Sequence, residues 1–341
     1  MMLFALASAS PLALFVLGIW AGGIWAFAGL LYMTALTAVL DQMKGLFMGD
    51  APEGAEFSAA DALLVALALG HLVALPMVIW AVAGDSGLTG WQRAGLILGA
   101  GLWFGQVSNP MAHELIPRGD RWLYGLGVAV YTSLLFNHHS SAHRLVHHRH
   151  DASADDPNSA RSGEGFYRFF LRAWGGSFAK GWAEENALRA RSAKGRAVHP
   201  FAVYLGGAAP ALAAALLIAG VWGLLVWAVL ALHAQMQLML SDYVQHYGLT
   251  RARRDDGRLE PVAARHSWNS PHWFSSGMML NAPRHSDHHA HPARPYPALR
   301  LPPADEAPHL PWPLPVACTL ALIPPLWKRA IRPHVAKWRT A

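Results

Sequence analysis

A single cysteine, Cys318, occurs in 341 residues. It leaves no partner for a disulfide and no thiolate set, so a disulfide framework, a cysteine-ligated zinc and an iron–sulfur or rubredoxin-type centre are excluded within this chain. Charge is also scarce: Asp, Glu, Lys and Arg make up 14% of the residues, against about 25% in an ordinary soluble domain. No basic segment precedes the apolar N-terminus MMLFALASAS, so it does not read as a cleavable signal. No solenoid-type repeat and no low-complexity linker is present. The net charge of +6 comes largely from arginines between apolar runs, the pattern of cytoplasmic loops rather than of nucleic-acid binding.

What the chain has instead is hydrocarbon. Hydrophobic residues are 53% of it, and long apolar runs mark an integral membrane protein. A span takes roughly 20 residues. The stretch 3–40 then holds two helices turning near Gly22-Gly23, and further spans fit 59–83, 91–112, 201–220 and 221–243. The apolar segment 122–136 is the exception. With a cytoplasmic N-terminus, the fourth span ends inside at HELIPR (113–118) and the sixth at QHYGL (245–249). A crossing at 122–136 would put NHHSSAHRLVHHRH (137–150) on the opposite face. A re-entrant or interfacial helix keeps these clusters together and leaves the arginine-rich 144–200 loop inside. The proline-rich stretch from Pro302 is expected to be irregular, and 312–327 interfacial. The fold class expected is thus all-α: about six transmembrane helices, a re-entrant helix and a cytoplasmic histidine-rich cap.

The nineteen histidines concentrate at the span ends. His113 stands in HELIPR. His138, His139, His143, His147, His148 and His150 follow the re-entrant segment. His246 lies in SDYVQHYGL (241–249), and His285, His288, His289 and His291 in RHSDHHAHP (284–292). Residues three or four apart share a helix face, so His139, His143 and His147 form one expected stripe, and His285 faces His288 and His289. Neutral imidazole suits iron, copper, zinc or nickel, and each ligating ring commonly gives its other N–H to a carboxylate or carbonyl. Glu114, Asp151, Asp155, Asp156, Asp242 and Asp287 are at hand, with Asp242 four residues before His246. Eight or more histidines exceed the needs of one ion that keeps a position open, which points to two ions and to oxygen chemistry on an oily substrate. His71, His199, His309 and His334 read as ordinary core or surface residues. A metal transporter would need polar groups at mid-membrane; apart from His71, Asn109 and His233 the spans offer few.

These clusters resemble the membrane alkane hydroxylases, the alkane 1-monooxygenases within the membrane fatty-acid desaturase and hydroxylase group. HELIP (113–117), HRLVHH (143–148), SDYVQHYGL and RHSDHHAHP are similar to that group's histidine boxes. ADDPNSAR (154–161), RHSWNS (265–270) and PPLWKR (324–329) resemble its flanking text. The resemblance covers roughly residues 90–330. It implies two non-haem irons held by His113, His143, His147, His148, His246, His285, His288 and His289, with Glu114, Asp242, Gln245 and Asp287 supporting them. It also implies O2 as co-substrate and a separate rubredoxin or ferredoxin donor. The expected reaction is hydroxylation of an alkane or alkyl chain at a terminal C–H, with desaturation or hydroxylation of another lipid as the alternative.

The chain departs from the family at Pro117, where the first box carries a second histidine; His139 is the candidate substitute ligand, with Asn137, His138 and His150 behind it. Asp242 and Gln245 replace the signature's asparagine and glutamate. The whole chain, 1–341, reads as one membrane-embedded domain: a hairpin and loop (1–58), a diiron core (59–300) and an interfacial tail (301–341). The expected location is the bacterial inner membrane, histidines inside, with Arg118, Arg144, Arg149, Arg161 and RARRDDGR (251–258) placed to meet an acidic donor or lipid headgroups.

Overall fold

The computed structural model describes residues 1–43, 49–191 and 198–339. Helices are the only regular structure among the described residues, apart from isolated bridges at Arg253–Leu259 and Asn269–His309. Four helices are long and apolar enough to cross a membrane: Met2–Ala21, Gly23–Asp41, Ala60–Ala83 and Pro200–Gln245. Their outer faces carry exposed Trp20, Ile24, Leu31, Val73, Leu217, Val221 and Trp222. In water such a surface would aggregate; in hydrocarbon it is the wetted face. The protein is an integral membrane protein.

Two of these elements turn back on themselves at glycine. At Gly22 and Gly23 φ is 57° and 54°, the left-handed region that glycine enters without penalty. A Cβ on Gly18 would lie 2.9 Å from the Trp25 carbonyl oxygen, so the two arms touch at the turn. The 46-residue helix Pro200–Gln245 repeats the device. Helical geometry breaks at Ala219 and Gly220, Gly220 has φ 57°, and a Cβ on Gly223 would meet the Ala215 oxygen at 2.1 Å. The expected spans 201–220 and 221–243 are therefore the two arms of a tight hairpin.

The helix over 90–115 begins in a capping box between Thr89 and Gln92 and carries a π-turn at Phe104–Ser108 before reaching His113. The re-entrant candidate is the 13-residue helix Arg121–Ser133, about 20 Å long and shorter than the roughly 30 Å of hydrocarbon a span must cross. Asp120 caps it through the Trp122 and Leu123 amides. It is tied into the bundle: Trp227 donates to the Ser133 carbonyl at 2.7 Å and Gln235 to that of Leu134 at 2.8 Å. His71 joins three helices, with Nδ1 2.9 Å from Ser108 Oγ and Nε2 2.8 Å from Ser133 Oγ, which gives this intramembrane imidazole a structural task.

The tail differs from expectation. Leu314–Ala321 and Pro324–Arg339 are helices. Four of the prolines sit where a helix tolerates them: Pro313 and Pro315 flank the first turn of one, and Pro324 and Pro325 open the other, where no backbone N–H is missed; Pro333 lies inside the second helix. Trp327 anchors the second helix, buried beside Tyr243 and Tyr247.

Candidate metal centre

Four segments deliver imidazoles to one place beyond the bundle's end: the 90–115 helix, the 139–150 helix, the end of Pro200–Gln245, and the short helix His285–Ala290. They form two groups. Ring nitrogens of His113, His143, His148 and His288 lie within 4.8 Å of one another, as do those of His147, His246, His285 and His289. The groups share a wall: the rings of His148 and His289 are 4.8 Å apart, and those of His143 and His147 5.2 Å. All eight histidines that the sequence marked are present, and the described residues contain no other such group.

The 139–150 helix serves both groups because it changes pitch. His143–His147 is a π-turn. Its wider turn brings His143 and His148, five residues apart, to an Nε2–Nε2 distance of 2.8 Å, while His147 points to the other group. The expected His139–His143–His147 stripe persists through the change of pitch as a row of neighbouring rings, 5.0 and 5.2 Å apart, but only its last two members enter the groups, one in each. His139 lies outside both groups. Its ring stacks on Phe136 and meets Tyr131 edge-on, and neither ring nitrogen has a partner. Asn137 donates to the Tyr204 carbonyl, His138 packs against Trp174 and Phe178, and the His150 carbonyl accepts from Ser153. Pro117 is exposed in the turn after the helix has ended.

The donor set fits a metal ion. Four Nε2 pairs approach to 2.8–3.2 Å: His143–His148, His246–His285, His285–His289 and His148–His288. Bonds of about 2.1 Å to one ion would set right-angled ligand pairs about 3 Å apart. Burial, reinforced by neighbouring imidazoles, holds His143, His148, His285, His288 and His289 well below the ordinary histidine range. They are neutral near pH 7, the state that ligates.

His147 is different. Burial works to lower it, but Asp156, whose Oδ2 lies 2.9 Å from His147 Nδ1, holds it up at about 9. Burial likewise works to raise Asp156, yet His147 and hydrogen bonds from Ser159 and the Asn158 amide keep it below the usual carboxylate range. This orients the His147 ring so that Nε2 faces its group. Asp151 plays a similar part more loosely: Oδ2 lies 3.4 Å from His289 Nδ1 and Oδ1 3.3 Å from Arg251. Burial pushes Asp151 up to about 6, against the pull of His147 and Arg251.

Of the supports expected from sequence, Asp242 lies close enough to His147 to help hold its charge, and Glu114, Asp242 and Gln245 line the cavity beside the cage. Glu114 accepts from the Tyr296 amide, and Asp242 from Asn158 Nδ2 at 2.6 Å. Gln245 donates to the Ala282 carbonyl and accepts from Ser241. Asp287 takes Arg294, His291 and the Arg300 amide. Asp156 was within reach of sequence reading, since it belongs to ADDPNSAR, but nothing local distinguishes it from Asp155, which is exposed and paired with Arg253.

A narrow cavity of about 60 Å³ adjoins the cage and touches His113, His285 and His288. It shares Gln106, Gln237, Pro315 and Cys318 with a wider groove of about 590 Å³, bounded by the Gly23–Asp41 segment and the tail helix Leu314–Ala321. Two nitrogen-rich metal pockets thus adjoin a cavity that shares part of its lining with a groove on the bundle's side.

Comparison with known proteins agrees with this geometry. The fatty acid desaturase family matches residues 89–307. Alkane 1-monooxygenase 1 of Pseudomonas aeruginosa is 32% identical over 327 residues, 91% of this chain and 83% of that protein. Alkane 1-monooxygenase 2 of Alcanivorax borkumensis is 32% identical over 248 residues, 71% of this chain, and the alkane 1-monooxygenase of Ectopseudomonas oleovorans 34% over 277 residues, 79% of this chain. Of those two proteins the chain spans just under two thirds, 64% and 66%.

Proposed function

The chain belongs to the fatty acid desaturase family, among its alkane 1-monooxygenases, and we propose on that footing that it hydroxylates an apolar alkyl substrate at an unactivated C–H bond. The carrying observation is the pair of adjacent four-imidazole pockets beside a mostly apolar cavity, which shares lining residues with a groove between apolar helices. His113, His143, His148 and His288 would hold one iron, and His147, His246, His285 and His289 the other. The reaction balances as R–H, O2, two electrons and two protons giving R–OH and water. Bound iron would supply the O2 activation that no side chain here can perform.

The chain's own residues do the rest. Buried and neutral, His143, His148, His285, His288 and His289 hold their nitrogens in place without competing protons. His147, held up at about 9, would give up its Nε2 proton to an incoming ion while Asp156 fixes its ring. The close-packed cage, with His285, His288 and His289 all buried, keeps bulk water away from the reacting carbon. The cavity aims an alkyl chain at the cage, which is where positional selectivity arises. With no thiolate centre of its own, the chain takes electrons from a separate rubredoxin- or ferredoxin-type protein. The exposed arginines Arg149, Arg253 and Arg254 mark the docking face for an acidic partner. On this reading six spans, 2–21, 23–41, 60–83, 90–115, 200–219 and 221–245, cross a bacterial inner membrane, and the arginine-rich loops favour a cytoplasmic cage.

The test is the purified protein with rubredoxin, its reductase, and a series of alkanes, alkylbenzenes and fatty acyl chains. The expected result is close to two irons per chain and a hydroxylated product from at least one series. One zinc or none, together with no oxygenated product, would sink this reading.

A further inference from the structure

Many cations of the cap have a carboxylate partner. Arg118 pairs with Asp61, Arg149 with Glu184, Arg251 with Asp151, Arg253 with Asp155 and Arg265 with Glu260. The tail helix Pro324–Arg339 departs from this. It carries Lys328, Arg329, Arg332, Lys337 and Arg339, and no acidic residue follows Glu306 in the sequence. Among the described residues, Lys328, Arg329 and Arg332 have no ion pair. Glu164 cannot serve them, since Arg172 holds both its oxygens, at 2.9 and 2.7 Å.

These charges converge on a cleft. Trp327, Ile331 and Val335 are buried, Trp327 beside Tyr243 and Tyr247. The helix thus packs its apolar face on the protein and turns its basic face outward. Lys328 and Arg332, one turn apart, line a cleft of about 340 Å³ with Ser162, Gly163 and Tyr247. A Cβ on Gly165 would stand 3.9 Å from the Lys328 ammonium, so the 162–165 segment backs directly onto that charge.

The cleft also borders the lipid-facing surface. Along the tail the outward side chains are apolar at Ile323 and Leu326, 52% and 50% exposed, then basic at Arg329, Arg332 and Lys337. The helix Phe166–Arg191 supplies a second marker of this level. Its Tyr167 and Leu171 are exposed, and the Tyr167 hydroxyl donates to the Leu322 carbonyl at 2.9 Å. An outward tyrosine between apolar and charged neighbours belongs at headgroup depth.

We propose that the cleft between the tail helix and the 162–165 segment binds an anionic phospholipid, with Lys328 and Arg332 receiving the headgroup phosphate and the acyl chains running past Leu326 and Ile323. A zwitterionic lipid also offers a phosphate, but its amine finds no carboxylate on this helix. The site is independent of the metal chemistry. Each cation at an anionic lipid surface is worth about 5-fold in affinity.

The test takes the full-length, metal-loaded protein in neutral detergent at fixed ionic strength. It is titrated with phosphatidylglycerol and with phosphatidylcholine of the same acyl chains, and retained lipid is counted by native mass spectrometry. Phosphatidylglycerol is expected to be preferred by about 5- to 25-fold. Lys328→Gln and Arg332→Gln each cut that preference by about 5-fold. Arg253→Gln, which removes one charge from an ion-paired site of the same cap, leaves it unchanged. The preference is a ratio within one preparation, so partial misfolding cancels; if one variant fails to accumulate, the other carries the test. Equal retention of the two lipids, an intact preference in both variants, or an equal loss in Arg253→Gln overturns the proposal. Displacement of phosphatidylglycerol by millimolar inorganic phosphate overturns it as well, making the cleft a free-phosphate site. Weakened binding of an acidic rubredoxin by both variants, with the lipid preference intact, assigns the face to a protein partner instead.

Discussion

His143 and His148 meet with their Nε2 atoms 2.8 Å apart, although on a regular α-helix residues five apart diverge by about 140°. The π-turn between them closes that angle. It lets one short helix feed two pockets, His143 and His148 to one and His147 to the other. Metal content should therefore fall in steps. His143→Ala or His288→Ala should each lose about one ion per chain, and the double change no more. His143→Ala combined with His285→Ala should lose both. Elemental analysis of purified variants reads this directly. A uniform partial loss whichever pocket is altered would argue that the eight histidines act as a single undivided site.

Asp156 is the carboxylate that orients a cage imidazole, and it is held in turn by Ser159 and the Asn158 amide, whose side chain reaches Asp242. Asp156→Asn keeps the shape and removes the charge. Such a change behind a metal-ligating histidine costs about 10- to 100-fold in metal affinity. Chelator competition should show that loss for Asp156→Asn. Asp155→Asn, at an exposed surface pair, should match the unaltered protein. Equal affinities for all three would mean that the His147–Asp156 contact does not support the metal.

Much of this architecture was legible before any coordinates, and the reasons are local. Apolar runs and glycine turns at Gly22-Gly23 are sequence patterns with a direct structural meaning, and the structure turns at those residues. Twelve histidines stood out because imidazoles gathered at span ends are rare without a task, and the resemblance to known histidine boxes picked the eight of the cage from among them. The division into two fours was not legible. It depends on a π-turn, and HRLVH carries no residue that announces one. Asp156 was hidden for another reason: its partner is nine residues away, across a turn. The tail misled because proline content was read without position; Pro313, Pro315, Pro324 and Pro325 lie at helix starts, where proline is compatible with helix.

Two residues that raised the question of a missing ligand lead to one prediction. His139 is sandwiched by Phe136 and Tyr131 outside both pockets. Pro117 is exposed beyond the end of its helix, where Arg144 reaches the Ile116 carbonyl. With four imidazoles already in each pocket, neither position is needed. His139→Phe should keep its full metal content, and Pro117→His should add none. Loss of about one ion in His139→Phe would make that histidine a ligand after all and require the cage to rearrange on loading.

The cage also depends on how closely two helices approach below it. A Cβ on Gly105 would stand 2.4 Å from Gln237 Cβ, and one on Gly101 2.1 Å from His233 Nδ1. Neither distance is sterically possible, so any side chain larger than hydrogen must push the 90–115 helix off the Pro200–Gln245 helix. These are the helices that end at His113 and His246, one in each pocket. Gly105→Ala should therefore destabilise the protein by about 1–3 kcal/mol, as overpacking does, and lower metal occupancy as well. Gly206→Ala is the matched control. It lies in a helix too, but its Cβ would meet nothing within 4 Å, so it should be neutral or slightly stabilising through helix propensity alone. Thermal unfolding in detergent, read beside elemental analysis, separates the two. If Gly105→Ala behaves like Gly206→Ala, the close approach is not what sets the spacing of the pockets.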